Sequence, residues 1–237
     1  MKKIFVIFIC LVVIFSFSAC TNKVKFTETE DVKFMETEDK TIVTIDGTEY
    51  TFVGNEGRVW CLGEWEFIGH VKGEKKTFVH LTSEVKTGMY SVNGSQDVLV
   101  RYFPDNEFAA MYVKSELLKT EVTIDNCIRF DFVKGLLFNS DETIISKNVI
   151  TECEDFLNEI KSGQKARDAG LYDLVKQPDG TFKNCYVYGH VCGVIQDDVN
   201  IVIPLQMMSF DDKAYSIIID GIEYVLTQEW VDKLINN

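Results

Sequence analysis

The chain has 237 residues, 46% of them hydrophobic, and carries 37 acidic against 24 basic side chains for a formal charge of −13. That length holds one large domain or two small ones with a real core. The acidic balance excludes an electrostatic grip on nucleic acid or anionic head groups, and the five cysteines after Cys20, an odd number, exclude a complete disulfide framework.

The first element is a targeting segment. Lys2 and Lys3 precede an unbroken apolar run from Ile4 to Phe15, closed by "FSFSAC". This is the layout of a secretory signal peptide, and the run is short of the roughly 20 apolar residues that span a bilayer. "FSAC" (17–20) resembles the lipobox of bacterial lipoprotein precursors, with Ser18 and Ala19 at the small positions and Phe17 where the family usually has Leu. The resemblance is specific for residues 1–20. It implies a signal peptide over 1–19 and a diacylglyceryl thioether of palmitate-type chains on Cys20. Residence would be at the cell membrane, lipid-anchored on its extracytoplasmic face. Several acyl chains on one residue make such an anchor stable, at about 0.8 kcal/mol per buried CH₂. Ordinary signal-peptidase cleavage after Ala19 is the competing reading.

Residues 24–39 read "VKFTETED" and then "VKFMETED", an acidic octapeptide in tandem. The expectation for 20–40 is a lipidated N-terminus and polar spacer; the competing one is a repeated docking motif. A β-rich subdomain is expected over 41–122. "TIVTI" and "TEYTF" flank Asp46-Gly47, the sequence of a type I′ hairpin. Asn93-Gly94 predicts another turn, and Pro104-Asp105-Asn106 a third. "KSELLK" (114–119) reads as a short helix.

An α+β subdomain is expected over 123–237. "IRFDF" puts Ile128, Phe130 and Phe132 on one strand face, with Cys127, Arg129 and Asp131 on the other. The spacing of Val149, Ile150, Cys153, Phe156, Leu157 and Ile160 predicts a helix over 148–161. "QPDGTF" turns the chain into the strands "FKNCYVYGHVCGVI", "NIVIPLQMM", "YSIII" and "IEYVL". Asp220-Gly221 repeats the first hairpin signal, and Thr227 is a helix N-cap with Leu226 and Val231 as a staple. The fold class is therefore α+β, mainly antiparallel β with two or three helices, in two small subdomains.

Two pairs of motifs recur. Ile-Asp-Gly-x-Glu-Tyr occurs at 45–50 and 219–224, and Gly-His-Val at 69–71 and 189–191. The first reads as one hairpin device used twice, with Glu49 and Glu223 as solvated strand residues.

Candidate chemistry is sparse. Only His70, His80 and His190 exist, without a local nucleophile signature. On a regular strand Tyr186, Tyr188, His190 and Cys192 share a face, so His190 and Cys192 are two candidate metal ligands; a closed zinc site needs four. The other reading is a core or surface-strand histidine. Asp197-Asp198 and Asp211-Asp212 are acid pairs or turn residues. Trp60, Trp65, Tyr186 and Tyr188 are candidates for an aromatic binding face, or for core. No cofactor fingerprint is present. The residues thus point to a non-catalytic binding or interaction role at the envelope, toward a protein or a glycan. The alternatives are a hydrolase built on a carboxylate pair or on one of Cys61, Cys127, Cys153, Cys185 and Cys192, and a sensor or inhibitor domain engaging a membrane partner.

Overall fold

The computed structural model describes residues 32–38, 40–55, 57–71, 77–80, 83–86, 88–103, 108–134 and 144–236. Cys20, the first octapeptide copy and the turn at 104–107 lie outside them. Asp31–Asn237 forms one compact unit.

Ten strands come from the described residues of the first half: β1 (Phe34–Glu36), β2 (Ile42–Ile45), β3 (Thr48–Asn55), β4 (Trp60–Cys61), β5 (Trp65–Gly69), β6 (Thr77–His80), β7 (Ser83–Lys86), β8 (Gly88–Val92), β9 (Ser95–Phe103) and β10 (Phe108–Lys114). Six follow: β11 (Arg129–Lys134), β12 (Ile144–Ile150), β13 (Cys185–Val194), β14 (Ile201–Phe210), β15 (Ala214–Ile219) and β16 (Ile222–Val225). The helices are α1 (Cys153–Ser162), α2 (Leu171–Val175) and α3 (Gln228–Val231), the last running on into a wider turn at Asp232–Asn236. The protein is mostly antiparallel β in two main sheets, with short helices, as the sequence predicts.

The first sheet has the order β1-β2-β3-β10-β9-β8-β5. Its two ends meet, because Val32 bridges Val71 and its N–H donates to the His70 carbonyl at 2.7 Å. Apolar residues alternate across the central strands, and each face packs separately. Tyr50, Met89, Leu99, Ala110 and Tyr112 fill the inside of the curl. Val98, Val100, Ala109, Met111 and Val113 form the outer layer with Cys61, Val199 and Ile201. The second octapeptide copy belongs to this sheet: Val32 is buried among the inner residues, and β1 pairs with β2. The sheet thus starts earlier than the spacer reading placed it. Its period-2 pattern explains this, with Val32 and Phe34 toward the core cluster and Met35 outward.

The second sheet runs β12-β11-β13-β14-β15-β16, and β4 joins it by pairing Trp60 with Val202 and Cys61 with Ile201. One edge of β14 is thereby shared between β4 at one end and β15 at the other. Pro204 falls between them, where a strand loses least by lacking an N–H. One face of this sheet is covered by α1 and α3. Phe156 meets Phe130 at 5.0 Å and Trp230 at 4.9 Å.

Several expectations change in detail. The helix predicted over 148–161 starts at Cys153, because Val149 and Ile150 belong to β12, paired with Asp131 and Phe130. Phe130 and Phe132 are buried together as predicted, but Ile128 precedes the strand and is 49% exposed. Cys127 is buried rather than on a polar surface, its Sγ 3.8 Å from the Thr123 carbonyl. The segment 114–119 contains a single 3₁₀ turn, Ser115–Leu117. The shared face of 186–192 is broken by a β-bulge between Val187 and Gly189. Tyr188 therefore stacks on Phe132, 6.0 Å away, toward the helix-covered side, while Cys192 packs on the opposite side with Val133, Val194 and Val202.

Candidate functional site

The second sheet's other face is only partly covered, and a cleft of about 830 Å³ opens there, where the segment 60–65 lies against β11, β13 and β14. Local chemistry places this segment. Trp60-Cys61 is a short added strand, the Leu62 N–H donates to the Asn200 carbonyl at 3.0 Å, and the Glu64 N–H donates to Asn93 Oδ1 at 2.9 Å. Gly63 has φ +133°, and a Cβ there would sit 2.3 Å from the Asn93 side chain. Only glycine lets the turn close on Asn93.

The apolar wall of the cleft is Trp60 and Trp65, with centroids 5.3 Å apart and planes inclined by 36°. Trp65 is braced by Tyr90 at 6.4 Å and Tyr102 at 6.3 Å. Neither tryptophan is fully buried. The two form one packed pair, held by the tyrosines beside Trp65.

The polar wall comes from alternate residues of β11 and the loop after β13. Arg129 Nε donates to both oxygens of Asp131, at 3.1 and 3.2 Å, and Nη1 donates to Asp197. Burial works against the charge on Arg129. The hydrogen bonds and charges of Asp197 and Asp131 outweigh it and raise its pKa. Gln196 fixes the loop: its Oε1 accepts from the Lys119 N–H, and its Nε2 donates to the Leu117 carbonyl and Asp198. Glu64 and Asn200 complete the lining.

The structure thus brings Trp60 and Trp65 together but separates them from Tyr186 and Tyr188, which adjoin Tyr215 beyond the bulge. Tyr186 donates to Asp212. His190 and Cys192 lie buried on β13 opposite Val133 and Asp131. Among the described residues no three His, Cys, Asp or Glu side chains are grouped to hold a metal. Asp197 and Asp198 do separate jobs, with Arg129 and with Lys119. Asp211 and Asp212 both have positive φ in a turn.

The five cysteines after Cys20 are all free thiols. Burial pushes Cys61 and Cys192 up to about 12, Cys192 with help from Asp131. Cys127 is raised to about 12 by burial and then by Cys153 and Asp125. Burial also raises Cys153 and Cys185. A nucleophilic thiolate needs the opposite shift. Of the carboxylates lining the cleft, Asp131 and Asp197 are bound to one guanidinium, an ion-paired arrangement.

Sequence reasoning missed Arg129, Asp131, Asp197 and Asn200 as cleft residues. The polar face of "IRFDF" was visible, but not what it would face. It also read Glu223 as solvated. Its carboxylate instead accepts hydrogen bonds from Tyr172, at 2.6 Å, and from the buried Ser216, whereas Glu49 is exposed.

Among the described residues no helix is long and apolar enough to cross a membrane. In comparisons with protein-family models, curated proteins and solved structures, nothing matches this chain.

Proposed function

We propose that this protein is a lipid-anchored component of a bacterial cell envelope that binds an envelope molecule in the cleft between its sheets, without catalysis. The cleft carries the reading. It is concave and mostly apolar, and it has a few convergent polar groups held by hydrogen bonds, the usual form of a binding site. The anchor rests on the lipobox at 17–20, with the diacylglyceryl group on Cys20. The acidic spacer would begin there and hold the folded part off the membrane. Without Lys2 and Lys3 the 22 basic and 37 acidic side chains leave a formal charge of −15, which suits a tethered, soluble domain that avoids anionic lipid.

Metabolic labelling with a palmitate analogue, followed by proximity labelling from the anchored protein, tests both halves. Wild type takes up the label and marks a defined set of neighbours. Cys20→Ala loses the label and the membrane fraction. Asn200→Ala combined with Trp65→Phe keeps the label but loses neighbours. Equal palmitate labelling of wild type and Cys20→Ala contradicts the anchor. An unchanged neighbour set in the cleft variant contradicts the binding role.

A further inference from the structure

We infer that the ligand class of the cleft is a neutral saccharide chain, an inference that rests on the cleft being the binding site. Three observations select it. First, Trp60 and Trp65 line the cleft as one packed pair, 5.3 Å between centroids at 36°, with no gap between the two rings for a ligand. A cage for a quaternary ammonium needs opposed faces. An aromatic pair on one wall suits a ligand with one flat apolar side, and the C–H face of a pyranose is such a side: its slightly positive hydrogens meet the negative face of the ring.

Second, the polar lining suits hydroxyl groups. The Asn200 carbonyl accepts from the Leu62 N–H at 3.0 Å, and among the described residues no hydrogen bond or ion pair involves the Asn200 or Glu64 side chain. An amide and carboxylates beside a tryptophan pair offer donors and acceptors at the rim of a sugar ring.

Third, charge and backbone exclude the main rivals. Among the described lining residues Glu64, Asp131 and Asp197 outnumber the one cation, Arg129, which is bound by Asp131 and Asp197. A phosphate or uronate polymer would meet net negative charge. An extended peptide that binds by adding a strand needs a free sheet edge. Here Trp60-Cys61 has already added itself to β14, and Leu62 has closed on Asn200.

Titration of the lipid-free chain, residues 21–237, with chitotetraose and with cellotetraose tests this, read by intrinsic fluorescence and by calorimetry. Of the three tryptophans, Trp230 is buried in the other core and serves as a constant background. At least one tetrasaccharide is expected to give a saturable change. Trp65→Phe and Asn200→Ala should each weaken it about fivefold, the scale of one aromatic contact or one hydrogen bond, with the far-ultraviolet dichroism unchanged. No saturable change with either sugar overturns the proposal, as does equal binding by both variants. Tetralysine is the parallel probe. A response to it that depends on Asn200 and Trp65, without one to the sugars, overturns the saccharide but leaves the cleft as the site. Silence toward every probe counts against both.

Discussion

Burial sorts the five thiols into two groups. Cys61, Cys127 and Cys192 are buried, with pKa values near 12, while Cys153 and Cys185 are partly exposed. A disulfide reagent such as DTNB at pH 8 should therefore modify Cys153 and Cys185 quickly and the other three only on unfolding; five equal rates would contradict the packing. The sign of the pH dependence follows. A thiol whose folded pKa lies above its unfolded value of 9.0 stabilises the fold fully below pH 9. That contribution is lost as pH rises toward about 12, because only the unfolded state ionises. Tyr172 acts in the same direction from the ordinary tyrosine value of 10.0, raised to about 12 by its hydrogen bond to Glu223 and by burial. Urea midpoints should be flat from pH 7 to about 9 and fall above it; a rise would contradict the assignment.

The elements show which signals are legible in a sequence. Asp46-Gly47, Asn93-Gly94 and Asp220-Gly221 all have two consecutive positive φ values, as type I′ turns require, and Ile45 and Ile219 pair with Thr48 and Ile222 across them. Turn chemistry is local, so it could be read. Gly221→Ala should cost about 1–2 kcal/mol, since φ is +77° there and a Cβ meets nothing but backbone strain. Chemical denaturation measures it, and an unchanged midpoint would contradict the turn. The Gly-His-Val echo has a meaning that was not legible. In both copies the ladder slips at the residue before glycine, between Phe67 and Gly69 and between Val187 and Gly189. At the second, a Cβ on Gly189 would come 2.5 Å from the Val133 carbonyl. Such a close approach depends on the neighbouring strand, which local pattern does not reveal. The helix start failed for a related reason: Val149 and Ile150 fit both periods over so short a run, and pairing with β11 decided for strand.

At the scale of the molecule, the cleft is a product of topology. Trp60 and Trp65 flank a turn from the first half of the chain, yet β4 pairs with β14, some 140 residues later. Arg129 and Asp131 reach the same space because the other side of β11, Phe130 and Phe132, is drawn under the helices. The aromatic candidates were therefore half legible: Trp60 and Trp65 as a pair, but not their polar partners or the bulge that parts them from Tyr186 and Tyr188. The central claim is that the molecule binds through this cleft. Indole ¹⁵N labelling gives one resonance for each of the three tryptophans. On addition of a soluble digest of the producing cell's envelope, the resonances of Trp60 and Trp65 should shift together while that of Trp230 stays in place. A shift of Trp230 alone, or unmoved Trp60 and Trp65 resonances at saturating digest, would contradict the account.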